Sequence, residues 1–392
     1  MENRYRIPRG TYDIVPSDTY KWQYVEALFR KVVTLYNYRE IVTPIFERVE
    51  LFERSVGDDT DIVEKEMYKF QDRKGRMLAL RPEGTASVVR SFVENNLGSG
   101  DLPVKLFYLG PMFRYDRPQK GRYRQFYQFG VENIGSGEIS IDAEVIALGY
   151  RFLKETGLSN FILQINSLGC DKCSADYDKA LQEYYRKYLS RLCPDCKNRL
   201  QKNPRRLLDC KVENCREIGS KAPSILDYLD HECRSEFLQL QQLLKDMKIP
   251  FEINPRIVRG LDYYNKTAFE FINNNLGAQN ALIGGGRYNG LVKELGGNDI
   301  PGIGFAGGFE RLIISMAAEG LTLGTPAFPI IFIVALGELA RNKSVILLNE
   351  LRSAGIAADM KYDRTSLRSQ MKAADKSGAP YSLIIGEDEL QS

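Results

Sequence analysis

Phe113-Arg114-Tyr115-Asp116-Arg117-Pro118, continuing through Gly121-Arg122-Tyr123-Arg124 to Glu132, sets Arg114, Arg117, Lys120, Arg122 and Arg124 around one acid, Asp116. Guanidinium forks at that density suit polyanions such as triphosphate or RNA. Pro118 and Gly121 mark the centre as a loop, so the runs Val104 to Arg114 and Arg124 to Ile134 read as an antiparallel pair joined by it. Period two then puts Phe126, Gln128, Gly130 and Glu132 on one face of the returning strand, which aligns an aromatic plate, an amide and a carboxylate. A second stretch, Val258-Arg259-Gly260-Leu261-Asp262-Tyr263-Tyr264, adds one more arginine among tyrosines. Together the two read as a site for a nucleotide and an amino acid.

With 392 residues, 43% hydrophobic and 27% charged, the chain can build two or three domains with real cores and is not generally disordered. Its formal charge of +3 means that attraction for nucleic acid must come from local clusters. The apolar run Ile330 to Leu336 is too short to cross a bilayer, and Met1 to Arg6 lacks the apolar segment of a secretory signal, so a cytoplasmic location is expected. All seven cysteines lie between Cys170 and Cys233. The pairs Cys170-x-x-Cys173 and Cys193-x-x-Cys196 fit a zinc clip better than a disulfide framework, with Cys210 and Cys215 as alternative ligands and free thiols as the plain alternative. The sole histidine, His231, is read as ordinary, which leaves little room for a histidine-based triad.

From Ser17, a cap-type residue, Trp22, Val25, Leu28, Phe29, Val32 and Leu35 recur at helical spacing. The run Arg39 to Thr43 then stops at Pro44 and suits an edge strand at a subunit interface. A hairpin is expected from Met67 to Leu80 around Gln71 to Gly75. Residues 170 to 247 change to a Lys-, Arg- and Cys-rich helical character, with helices predicted at Tyr177 to Leu192 and Ser224 to Leu244. Strand signals return at Phe251 to Ile253, Ala268 to Ile272 and Ala281 to Ile283. After Pro329, strands and helices alternate in the manner of a small parallel α/β domain. Gly302-x-Gly304-x-x-Gly307 spells a dinucleotide fingerprint but lacks the strand before it. It reads better as a close approach of backbone to ligand ahead of a helix carrying Arg311.

These segments, in this order, resemble class II aminoacyl-tRNA synthetases, and within them the histidyl-tRNA synthetases. The helix and strand ending at Pro44 resemble motif 1, Phe113-Arg114 through Phe126 and Glu132 motif 2, and Gly304 through Arg311 motif 3. Leu80-Arg81-Pro82-Glu83-Gly84-Thr85, Arg259 to Tyr264 and Gly284-Gly285-Gly286-Arg287-Tyr288 are similar to the histidine-specific elements.

The resemblance implies an α+β fold: an antiparallel catalytic sheet flanked by helices (residues 1–169 and 248–325), a helical insertion (170–247) and a shortened C-terminal α/β anticodon-binding domain (330–392). It implies a homodimer that uses ATP with Mg²⁺ to join L-histidine to histidine tRNA through histidyl-adenylate. Glu83, Thr85 and Gln128 would hold the α-amino group. Glu132 and Tyr264, with Tyr263, would face the imidazole. Arg259 would contact the carboxylate and α-phosphate in place of a metal ion. Arg114 would contact the α-phosphate and Arg311 the γ-phosphate, Phe126 would stack on adenine, and Asp116 and Tyr123 would complete the ATP site. Arg117 and Gln119 would approach the tRNA acceptor end and its extra 5′ guanosine. Tyr127, Asp116 and Asn289 depart from the family's usual histidine, glutamate and aspartate. Two competing readings are the regulatory subunit of ATP phosphoribosyltransferase, which carries this fold without charging tRNA, and a noncatalytic tRNA-sensing module.

Overall fold

The helix Pro16–Leu35 shows how local chemistry sets the frame in this computed structural model, which describes residues 5–57, 60–119, 121–273 and 280–391. It begins one residue before the expected Ser17, with Pro16 at its first position, where a missing N–H goes unneeded and the fixed φ is already helical. Val25, Phe29, Val32 and Val33 form its buried stripe. They pack with the helix Ile139–Glu155 in the largest apolar core.

Strands in chain order are β1 (Arg39–Glu40), β2 (Phe46–Arg48), β3 (Lys69–Gln71), β4 (Met77–Leu80), β5 (Val104–Phe113), β6 (Gln125–Ile134), β7 (Ile162–Ser167), β8 (Glu252–Ile253), β9 (Asn265–Ile272), β10 (Ala281–Arg287), β11 (Gly302–Gly308), β12 (Ile331–Ala335), β13 (Ala358–Met360) and β14 (Tyr381–Ile385). Eight of them form one sheet in the order β1-β5-β6-β11-β10-β9-β7-β8. Its five middle junctions, from β5 through to β7, are antiparallel, while β1 and β8 add in parallel at the two edges. The expected pair is a ten-residue β5/β6 hairpin with Val104 opposite Ile134 and Phe113 opposite Gln125. The expected β3/β4 hairpin gains β2 as a third strand. Its turn is closed by the Asp72 carboxylate, which accepts from the backbone of Lys74 (2.8 Å) and Arg76 (3.0 Å).

Between β7 and β8 the helices Asp171–Arg186, Pro194–Lys202, Glu213–Ser220 and His231–Asp246 enclose a core of their own around Tyr177, Leu181, Tyr185, Cys196 and Leu200. The first predicted helix starts at Asp171 and ends at Arg186, where the sequence reading had it run to Leu192. The second begins at His231, because Asp230 caps it by accepting from the Cys233 N–H at 2.8 Å. Only a single 3₁₀ turn, Ile225–Asp227, precedes that cap.

A separate compact unit begins at Gly324. Its three-stranded sheet, in the order β13-β12-β14, is wholly parallel, and the buried Gln370 amide closes on both backbone groups of Ala335 (2.8 and 3.0 Å).

The fully buried Arg287 at the end of β10 fastens the sheet to the helix Ile139–Glu155. Its Nε donates to both oxygens of the equally buried Asp142 (3.0 and 3.1 Å), and its terminal nitrogens reach the carbonyls of Ser136 and Glu138. Removing one member of such a pair leaves the other charged and unpartnered. Arg287→Met is therefore expected to cost about 3–5 kcal/mol in urea unfolding, and Asp142→Leu on top of it to restore part of that loss. A single variant within about 1 kcal/mol of the parent would show that the pair contributes nothing to stability.

Candidate active site

Glycines open the surface of the central strands, and side chains from elsewhere lie across the opening. A Cβ on Gly284 in β10 would sit 2.5 Å from Arg259 Nη1, and one on Gly286 would sit 2.9 Å from the Tyr264 ring. One on Gly304 in β11 would overlap the Glu132 carboxylate. The result is a cavity of about 670 Å³ into which Arg114, Arg259 and Arg311 bring positive charge and Glu83, Tyr263 and Tyr264 bring acid and phenol.

Arg259 donates to Glu270 Oε1 at 2.6 Å, and its guanidinium lies 5.1 Å from the centre of the Tyr264 ring, while its buried Nε has no partner. Tyr264 sits between Arg259 and Glu132 and feels the charge of both, although burial is the first reason that its phenol is pushed up to about 12. Arg114 donates to the Pro82 carbonyl (2.8 Å) and lies 5.4 Å from the centre of the Phe126 ring. Arg311, at the start of the helix Phe309–Ala318, reaches the carbonyls of Gly121 and Ala281 (both 3.1 Å), so it joins the basic loop to β10.

At the acidic end Glu83 accepts from the N–H groups of Thr85 (2.6 Å) and Ala86 (2.8 Å), which places its carboxylate on the first turn of the helix Thr85–Glu94. Tyr263 approaches the same carboxylate at 3.4 Å. Glu132 is wholly buried. It accepts from Thr85 Oγ1 (2.7 Å) and from the Tyr288 hydroxyl (2.6 Å). Burial first, and Glu83 nearby, push its carboxyl up to about 8 against the pull of those two hydrogen bonds. Alternation along β6 brings Phe126 and Gln128 to the cavity, and Gln128 Oε1 is buried with no partner. The expected fourth member of that row is displaced: Glu132 lies deeper, among Thr85 and Tyr288, because Gly304 lets it fold down against β11.

In the basic loop Tyr123 packs on Tyr12 with ring centres 4.7 Å apart, and Asp116 pairs with Arg122, which also reaches Glu66. Asp116, Arg122 and Tyr123 line the cavity. Arg117 and Gln119 are exposed outside it, with Gln119 bridged to Arg122 through the backbone, and Lys120 falls outside the described residues. Tyr127 faces the other way, against Trp22. The Asn289 side-chain oxygen accepts from Arg287 (3.4 Å), and its backbone carbonyl accepts from the Asn265 side-chain amide (2.7 Å). Arg287, included with the histidine-specific elements, belongs to the buried pair with Asp142 and not to the cavity.

The sequence reading missed Glu270, Glu310, Tyr108 and the insertion's share of the wall. Glu310, pushed up to about 7 chiefly by burial, accepts from the Tyr127 N–H and the Tyr12 hydroxyl (both 2.9 Å). Tyr108 occupies space left by Gly84 and Gly130, and Gly130, opposite it in the β5/β6 register, was the available signal. From the insertion, Arg199 and Arg206 line the cavity and both donate to Asp61 (2.8 and 3.1 Å). The four cysteines expected as one clip do not come together. Cys193 and Cys196 group with Cys210 and Cys215, whereas Cys170 and Cys173 group with Asp230 and Cys233.

Chemically, the arrangement can hold an anion between arginines and present buried acids and phenols to a small polar molecule. The family model described as histidyl-tRNA synthetase matches residues 10–312, and that described as anticodon binding domain matches residues 331–392. A histidine–tRNA ligase of Halothermothrix orenii is 51% identical over 387 residues, covering 99% of this chain and 92% of that protein. The crystal structure of apo S. aureus histidyl-tRNA synthetase matches with a TM-score of 0.83 at 42% identity, over 99% of this chain and 93% of the other. A Bacillus halodurans C structure described as an ATP phosphoribosyltransferase regulatory subunit/histidyl-tRNA synthetase shares the fold, with a TM-score of 0.71 at 23% identity over 98% of this chain and 99% of that one.

Between the ordinary carboxyl value of 4.5 and about 8, the unfolded chain has lost the Glu132 proton while the folded chain keeps it. Stability without ligand should therefore fall as pH rises through that window. Glu132→Gln should flatten this part of the thermal-melting profile. An equally steep profile in the variant would remove Glu132 as its cause.

Proposed function

The chain belongs to the histidyl-tRNA synthetase family, and from that membership we propose that its cavity activates L-histidine with ATP and passes it to histidine tRNA. The observation that carries the assignment of roles is the meeting of Arg259 and Glu132 around Tyr264 in one site. A histidine carboxylate oxygen attacks the α-phosphorus. A new P–O bond forms as pyrophosphate leaves with the electron pair of the bridging oxygen. No side chain becomes covalently attached, so the residues act by position and charge. Arg259 and Arg114 hold the α-phosphate and the attacking carboxylate, Arg311 holds the γ-phosphate, and Phe126 stacks on adenine beside Tyr123 and Asp116. Glu270 keeps Arg259 extended over Gly284 before substrate arrives. The cavity carboxylates Glu270 and Asp116 would offer hard oxygen donors to the Mg²⁺ that accompanies ATP, which would supply further neutralisation of phosphate charge.

At the other end Glu83, Thr85 and Gln128 receive the α-amino group; the unpartnered Gln128 oxygen is suited to accept from it. Glu132, Tyr264 and Tyr263 receive the imidazole. Partners for both ring nitrogens reject apolar analogues, which would leave these buried groups unpaired. In the second step the terminal ribose hydroxyl of tRNA attacks the adenylate carbonyl and AMP departs. The exposed Arg117 and Gln119, on the rim beside Arg122, are positioned for the acceptor end.

The domain reading assigns residues 1–169 and 248–325 to catalysis, 170–247 to the insertion and 330–392 to the anticodon; the insertion's own core and the compact unit from Gly324 support it. Homodimer formation through the β1 edge is supported by the exposure of Val42 (81%) and Phe46 (53%) beside it. Among the described residues no helix is long and apolar enough to cross a membrane, which agrees with action in the cytoplasm. The regulatory-subunit reading is disfavoured by the full set of arginines and by the anticodon-binding match.

Histidine-dependent ATP–pyrophosphate exchange followed by tRNA charging tests the assignment, and absence of both overturns it. Arg259→Ala should fold normally and slow the exchange by about 10²–10³-fold or more, since a guanidinium aimed at developing charge is lost. An unchanged exchange rate would reject that role. Gly284→Ala should give a related loss by displacing the same guanidinium, whose flexible end can move without unfolding the strand. A crystal structure of that variant with Arg259 unmoved would contradict the steric argument.

A further inference from the structure

All seven cysteines fall into the two groups of four ligands, each within 4.8 Å, with Asp230 as the eighth member. We propose that the insertion binds two zinc-type ions, one at Cys193, Cys196, Cys210 and Cys215 and one at Cys170, Cys173, Asp230 and Cys233, and that the tetrathiolate ion clamps the cavity wall.

Spacing and direction carry the sites. Tetrahedral zinc with Zn–S of about 2.3 Å sets sulfurs about 3.8 Å apart. Cys193 Sγ lies 3.9 Å from Cys210 Sγ, and Cys170 Sγ lies 3.5 Å from Cys173 Sγ and 3.3 Å from Asp230 Oδ2. Two helix starts converge at each site, joined at the tetrathiolate site by Cys210, which follows the 3₁₀ segment Pro204–Asp209. Cys193 and Cys170 are N-cap residues, as is Asp230, and Cys215 lies in the first turn of Glu213–Ser220.

Backbone N–H groups also point at sulfur. Cys193 donates to Cys215 Sγ (3.3 Å), Cys196 to Cys193 Sγ (3.4 Å) and Asp230 to Cys173 Sγ (3.2 Å). Plain core packing would need neither the convergence of four sulfurs nor donors aimed at them, and Cys193 and Cys170 are only half-buried.

The clamp follows from chain path. An ion joining Cys193 and Cys196 to Cys210 and Cys215 closes the loop that contains Arg199 and Arg206, the two donors to Asp61 at the cavity. Asp209 and Lys211, on either side of Cys210, face the same space. This half rests on reading the cavity as the activation site, whereas metal content does not.

Elemental analysis of full-length protein purified without added metal should find about two zinc ions per chain, and Cys210→Ser and Cys233→Ser should each lower that by about one. An unchanged content in either variant overturns the corresponding site, and a metal-free parent that binds no Co²⁺ when reduced overturns both. Should a variant fail to fold, Co²⁺ titration of the parent decides. Tetrahedral thiolate spectra support the sites, and octahedral, water-like spectra refute them. For the clamp, chelation of the parent should raise proteolysis between residues 203 and 212 by about tenfold, with a parallel rise in the KM for ATP. Cleavage that is insensitive to chelation overturns the clamp, even if activation itself is intact.

Discussion

Space left empty by glycine on β10 and β11 is the constraint on which the site depends. A strand ordinarily fills both faces with its own side chains. Here Gly284, Gly286, Gly302 and Gly304 leave one face bare, and Arg259, Tyr264, Tyr288 and Glu132 occupy it from other parts of the chain. Glycine weakens a strand, both through its entropy and by leaving nothing to pack. The sheet recovers that loss through the elements pressed against it, including the aromatic core around Phe129, Phe152, Phe269 and Phe305 and the buried Arg287–Asp142 pair at the end of β10. Fold and site thus share a surface: what rests on the bare face seals the sheet, and Arg259 and Tyr264 also line the cavity.

Electrostatics divides that surface. Arg114, Arg259 and Arg311 remain cationic under partial burial, because guanidinium does not give up its proton. Burial raises both Glu83 and Glu132, Glu83 raises Glu132 further, and the two differ in their partners. Glu83 takes two backbone N–H groups of a helix start, which favour its charge. Glu132 takes only hydroxyl donors and is carried up to about 8. A carboxyl that holds its proton near neutrality can offer it to one imidazole nitrogen or release it when that nitrogen brings a proton of its own. The cationic end has no such choice, so on the proposed reading phosphate would meet fixed charge and the amino acid groups that can adjust.

Much of this was legible from residue order. Alternation along β6 put Phe126 and Gln128 on the site face and turned Tyr127 away to Trp22. The basic loop, the helix carrying Arg311 and the edge strand before Pro44 were equally plain. Period gives a face but not a depth, which is why Glu132 was expected beside Gln128 and lies beneath, held by Thr85 and Tyr288 from distant segments. Cys-x-x-Cys spacing identifies a ligand pair but not which other pair it meets, and the fold separated the two pairs. Helix ends in the insertion were misjudged because its first helix buries cysteine and tyrosine as readily as leucine, and because the Asp230 cap outweighed the apolar pattern upstream.

The insertion shows most clearly what linear reading conceals. It has its own apolar core, and by sequence character it stood apart from the strands before and after it. Yet Arg199 and Arg206 meet at Asp61, Lys202 reaches Glu64, and Asn203 reaches Asp262 in the segment that carries Arg259 and Tyr264. These are partly exposed polar contacts, each worth at most about 1 kcal/mol, so the insertion's hold on the cavity is weaker than its hold on itself. On the proposed reading, substrate that engages Arg259 would compete with Glu270 for its guanidinium in the same segment to which Asn203 is tied. One short stretch of chain, Arg259 to Asp262, is thus held by the sheet through Glu270 and by the insertion through Asn203.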